Sequence, residues 1–169
     1  MAVAATRIWD VCQDLLAGVV SYHGGSLPGR QYVSAGSPAW DCELLAVWCE
    51  TTSGVDGSPE VDALSAHTAG AAHMMRSGVF VVSLVRCTPA VPDVTGDVFV
   101  PPSVDKEHEA SFDVYSDAQR TLNALREAEK AGELASCHGL AFSGWTVRDA
   151  EGGFVGGELR VIVSLGLAG

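Results

Sequence analysis

The run from Cys42 to Thr51, CELLAVWCET, is apolar on both of the faces that a β-strand presents. Alternate residues of a strand point to opposite sides, so Cys42, Leu44, Ala46 and Trp48 make one set and Glu43, Leu45, Val47 and Cys49 the other. Only Glu43 and Glu50 interrupt the two sets. Such a strand has to be covered from both sides. In a chain of 169 residues one of those faces is expected to be covered by another copy of the protein.

A second strand with the same property runs from Ser77 to Arg86, where Val79, Val81, Ser83 and Val85 alternate with Phe80, Val82 and Leu84. It is expected to pair antiparallel with the first. Ahead of both, Ala4 to Val20 carries Ile8, Cys12, Leu15, Leu16 and Val19 at helical spacing, and Gly24-Gly25 ends that helix. Leu27-Pro28-Gly29 then makes a turn, Arg30 to Ala35 a short extended run and Gly36 to Pro38 a second bend. A second helix is predicted from a capping box at Ser116 and Gln119, with Ala118, Leu122, Leu125 and Ala128 as its buried stripe and Gly132 as its stop. A closing hairpin pairs Leu140–Asp149 with Phe154–Leu165 around Glu151-Gly152-Gly153. This order predicts one domain over 1–169, of α+β class, with a mostly antiparallel sheet and two helices packed on it. Two long loops interrupt it, at about 52–75 and 88–113. Asp97 to Val100 is a possible short strand within the second, and the first is expected to contact an adjacent subunit or ring.

Composition excludes some functions and leaves others open. A formal charge of −11 argues against a protein that grips nucleic acid by its phosphates. It suits solubility, a basic partner, or a surface that DNA slides past. No segment approaches the ~20 apolar residues of a membrane span, and Met1–Ile8 lacks the pattern of a secretory leader, so the chain reads as cytosolic with no membrane partner. The five cysteines, Cys12, Cys42, Cys49, Cys87 and Cys137, are odd in number and form no zinc-type spacing, and they read as small buried apolar residues.

The search for chemistry is mostly negative. His67 and His73 stand six apart in the first loop, a spacing that matches no metal pattern. Cys137 and His138 suggest a nucleophile and base, but neighbours on a regular element point apart and no orienting carboxylate or amide follows. Gly152, Gly153, Gly156 and Gly157 lack the Lys-Ser/Thr of a phosphate loop. Asp105, Glu107 and Glu109 read as a solvated charge run rather than a calcium loop. Trp40 is expected to plug the end of the sheet, with an interface anchor as the other reading, and Arg30 and Asp41 are placed to pair across the turn between them. The candidate interface residues are Arg30, Trp40, Asp41, Asp56, Glu60, His67 and His73. No catalytic, cofactor or metal residue is expected.

Three stretches, PGRQYVSAGSPAWDCELLAVWCE at Pro28–Glu50, FVVSLVRCTP at Phe80–Pro89 and GGFVGGELRVIVSL at Gly152–Leu165, resemble the small head-to-tail connector proteins of actinobacterial siphophages, and among them the tail terminators. The first is the most specific. The resemblance implies a tail-terminator-like subunit that closes into a homohexameric ring, caps the tail tube and joins it to the stopper of the neck, letting genomic DNA pass without sequence-specific binding. It implies a virion location after assembly in the host cytoplasm, with no cofactor. The neighbouring stopper or adaptor ring is the alternative within that class, and a small cytosolic thiol enzyme is the alternative outside it.

Overall fold

Two helices lie on one face of a single sheet in the computed structural model, which describes residues 5–39, 43–53, 75–87, 103–151 and 154–167. In chain order the elements are helix α1 (Ala5–Tyr22), strands β1 (Arg30–Val33), β2 (Leu44–Ser53) and β3 (Met75–Cys87), helix α2 (Val104–Ala131), and strands β4 (Leu140–Glu151) and β5 (Phe154–Leu167). The sheet order is β1-β2-β3-β5-β4. β1 runs parallel to β2, and the other three pairings are antiparallel. This is the α+β architecture expected from the alternation of element types.

The two-sided strands are buried on both sides within the single chain, which corrects the expectation that another copy would cover one face. Toward the helices, Leu45 and Val47 of β2, Phe80, Val82 and Leu84 of β3, and Leu159, Val161, Val163 and Leu165 of β5 join Val11, Cys12, Leu15 and Val19 of α1 and Leu125 of α2 in one core. On the opposite face Leu44, Ala46 and Val85 pack with Tyr32 and Phe154, and Trp48, Val79, Val81 and Ile162 are also buried. Each fully buried aliphatic side chain contributes about 1.5–3 kcal/mol, so both faces stabilise the sheet.

α1 packs closely because Gly18 faces α2. A Cβ there would stand 3.0 Å from Ala128 Cβ and 3.2 Å from Leu134 Cδ2. At the far end of α2, Gly132 takes φ 73°, and Glu133 N donates to Ala128 O at 3.0 Å. That hydrogen bond closes the left-handed cap that glycine adopts without steric cost.

The second helix departs from the sequence reading. It begins at Val104 with Ser103 as N-cap, so Ser116 and Gln119 are mid-helix residues rather than a capping box. The expected loop over 88–113 is thus helical from Val104 onward. The reason is that Val104–Asp113 turns no apolar stripe toward its own core, which is the signal that periodicity detects. The first buried residue of α2 is Val114, followed by Asp117, Thr121, Ala124, Leu125 and Ala128. Ala118 and Leu122 are only half-buried. Asp105 and Glu107 sit in the first turn, where the positive end of the helix dipole favours them. Of the first expected loop, Thr52 and Ser53 belong to β2 and Met75 to β3. Its residues 54–74 and the Asp97–Val100 strand lie outside the described residues, as does the tip of the closing hairpin at 152–153.

Candidate functional site

Among the predicted interface residues, Arg30 opens β1, is exposed, and its backbone N–H donates to Glu43 O at 3.2 Å. Trp40, Asp41, Asp56, Glu60, His67 and His73 lie outside the described residues, and so does the expected Arg30–Asp41 pair.

Sequence reasoning missed a buried polar centre between the helices and β3. Arg86, at the end of β3, donates through Nε to Asp117 Oδ2 at 2.8 Å and through Nη2 to Asp117 Oδ1 at 3.0 Å. The same Nη2 donates to Ser26 O at 2.7 Å, and Nη1 stands 3.8 Å from Glu43 Oε2. Asp117 is 2% exposed, and so is His23, whose Nε2 lies 3.6 Å from Asp117 Oδ1, too far for a hydrogen bond. Burial lowers the His23 pKa below its ordinary value, against the pull of Asp117. The hydrogen bonds that Arg86 donates to Asp117 raise its already high pKa. One cluster therefore ties α1, α2, β3 and the entry to β2. Glu43 anchors that entry with φ 55°, a left-handed conformation uncommon for glutamate, and its Oε1 accepts from Cys87 N at 3.4 Å. The sequence signal was a charged residue on a helix stripe, Asp117 between Val114 and Thr121, with an arginine ending an apolar strand.

A second set of polar groups lies on the sheet face away from the helices. Glu158 is 1% exposed and accepts from Ser83 Oγ at 3.3 Å and from Arg148 Nη2 at 2.9 Å. Glu50 and Arg160 form a two-pronged pair at 2.9 and 3.0 Å that reaches across β3. The Arg160 hydrogen bonds lower the Glu50 pKa. Glu158 thus joins three neighbouring strands, and the Glu50–Arg160 pair joins β2 to β5 over β3.

Three of the described cysteines carry thiols shifted away from reactivity. Burial pushes Cys12 and Cys137 up to about 12 and raises Cys49, the opposite of what a nucleophilic thiolate needs. Cys137 is half-buried beside an exposed His138. Cys87 is exposed, which corrects the expectation that all five would be packed; it falls where β3 leaves the core. Cys42 lies outside the described residues. Among the described residues no group of three His, Cys, Asp or Glu side chains is placed to hold a metal, and Asp105, Glu107 and Glu109 are exposed along α2.

Large apolar side chains also face outward. Trp9 and Val20 are exposed on α1, Val104, Phe112 and Tyr115 on the first turns of α2, and Val147 on β4. No helix of the described residues is long and apolar enough to cross a membrane. No protein-family model matches the chain, and no curated protein matches it.

Proposed function

We propose that this chain is the structural ring subunit of a phage neck, closing as a homohexamer that terminates the tail tube and joins it to the stopper or neck connector. The carrying observation is the division of labour among its side chains. The buried carboxylates Asp117 and Glu158 tie one element to the next through Arg86 and Arg148, while large apolar side chains on both helices face outward. That pattern suits a protein that assembles rather than one that turns over a substrate. The connector-like block, whose described part spans β1 and β2, supports this reading. The net charge of −11 suits a conduit through which genomic DNA slides without adhering. No catalytic residue or cofactor is assigned.

Cryo-electron microscopy of intact virions tests the proposal. The expected result is six copies in a ring between the tail tube and the stopper. A position one ring nearer the head, with the chain contacting no tube protein, would assign it to the stopper or adaptor instead. A single copy per neck would overturn the ring reading.

A further inference from the structure

Both ring nitrogens of His23 are without a hydrogen-bond partner among the described residues, although the side chain is 1% exposed. An imidazole has hydrogen-bonding capacity at each nitrogen, and burying both unused is unfavourable. Nε2 stands 3.6 Å from Asp117 Oδ1, just beyond hydrogen-bonding distance.

That oxygen is already engaged. Arg86 Nη2 donates to Asp117 Oδ1 at 3.0 Å and, at 2.7 Å, to the carbonyl of Ser26 in the connection between α1 and β1. A single guanidinium nitrogen thus holds the α2 carboxylate and the connection together. His23 opens the same connection, and its backbone N–H stays on Val19 O at 3.0 Å. Between His23 and Ser26 lie two exposed glycines. Gly24 takes φ 67°, and Gly25 lies against the Arg120 guanidinium, where a Cβ would stand 2.5 Å from Nη1.

Charged groups reach this centre from three elements. α2 supplies Asp113, Asp117 and Arg120, β3 supplies Arg86, and the residue before β2 supplies Glu43. Burial opposes a positive charge on the His23 ring, as do Arg86 and Arg120, whereas Asp117 and the Gly25 backbone favour it. A buried imidazolium requires a counter-charge, and among the described residues Asp117 is the carboxylate within its reach. Sharing Asp117 would set two cations on one carboxylate. Arg86 is the cation with another anion to turn to, because it is 17% exposed and its Nη1 is 3.8 Å from Glu43 Oε2.

We propose that His23 is an acid-operated latch: once protonated it takes Asp117 Oδ1, Arg86 turns toward Glu43 and gives up the Ser26 carbonyl, and the Gly24–Gly29 connection is released. The proton comes from solvent and returns to it as the pH rises. β1 has only β2 beside it, in four residue pairs, so the freed connection leads directly into an edge strand. The latch does not depend on the ring reading.

Nuclear magnetic resonance of the full chain between about pH 7.5 and 5 tests it. The His23 ring carbons give its midpoint, and the Ser26 carbonyl carbon reports the hydrogen bond from Arg86. The expected result is a midpoint below 6.5 shared by both, with the Ser26 carbonyl moving upfield as its hydrogen bond is lost and the amides of β3 and β5 keeping their shifts. His23→Gln should abolish the Ser26 response over this range, whereas Glu43→Gln should leave the midpoint in place. A Ser26 carbonyl that holds its shift while His23 titrates would overturn the latch. So would a His23 that stays neutral down to acid unfolding, a response that survives in His23→Gln, or a response in which β3 and β5 move with the connection, since that is loosening of the whole fold. Should His23→Gln fail to fold, the two midpoints in the parent chain still decide.

Discussion

The Arg86 guanidinium meets the Asp117 carboxylate through two hydrogen bonds, at 2.8 and 3.0 Å, where the end of β3 passes beneath α2. Asp117 is nearly inaccessible to water, so its charge depends on this partner. Arg86→Met should cost about 3–5 kcal/mol in urea unfolding, because it leaves a buried carboxylate unpaired. The double variant Arg86→Met/Asp117→Leu should be less destabilised than Arg86→Met alone. Equal loss in both would mean that the pair contributes packing and not charge compensation.

Acid should weaken the fold through His23. Its folded pKa lies below the ordinary 6.5, so the unfolded chain binds more protons once the pH drops under that value. Stability is therefore highest above pH 6.5 and declines as the pH falls from there toward the folded pKa. His23→Gln should flatten this decline in urea midpoints measured between pH 7.5 and 5.5. A slope identical to that of the parent protein would remove His23 as its source.

Gly18→Val should destabilise by about 1–3 kcal/mol, since even the first added carbon meets Ala128 at 3.0 Å. Thermal unfolding compared with Gly29→Val, where an added Cβ meets no atom within 4 Å, separates crowding from the generic effect of the substitution. Similar losses at both sites would contradict the close approach of the helices.

Thiol labelling should be ordered by burial. At pH 8, exposed Cys87 should react with a maleimide well before Cys12 and Cys137, whose pKa values stand at about 12. Peptide mapping by mass spectrometry reads the order directly. Fast labelling of Cys137 in the native protein would reopen the thiol-enzyme reading. Consistent with slow labelling, Cys137→Ala/His138→Ala should leave assembly intact.

Removing Arg148 by Arg148→Ala should cost about 1–3 kcal/mol, because Glu158 then keeps Ser83 alone of the two side chains that donate to it. Glu158→Gln in the same background should recover part of the loss in chemical denaturation. No recovery would mean that the Glu158 charge is not what Arg148 stabilises.

The sheet was legible because β2, β3 and β5 carry unbroken or alternating apolar residues bounded by turn residues. Helix α1 and the Gly132 stop were legible for the same reason. The start of α2 was hidden because Val104, Phe112 and Tyr115 face away from the core, so no inward stripe announces the helix. The polar centre was hidden for a different reason. His23, Arg86 and Asp117 are far apart in sequence, and only tertiary packing brings an arginine from a strand end against an aspartate on a helix stripe.

The strand order has a consequence for how the molecule is made. β5, the last strand of this sheet to be synthesised, inserts between β3 and β4 and not at an edge. Until a ribosome has delivered Phe154–Leu167, β3 has a partner on one side only and the inner layer is incomplete. A nascent chain stopped short of this strand would display the naked flank of Val79–Val85, a template for joining other unfinished chains. The sheet itself is thereby withheld until its last strand has been translated.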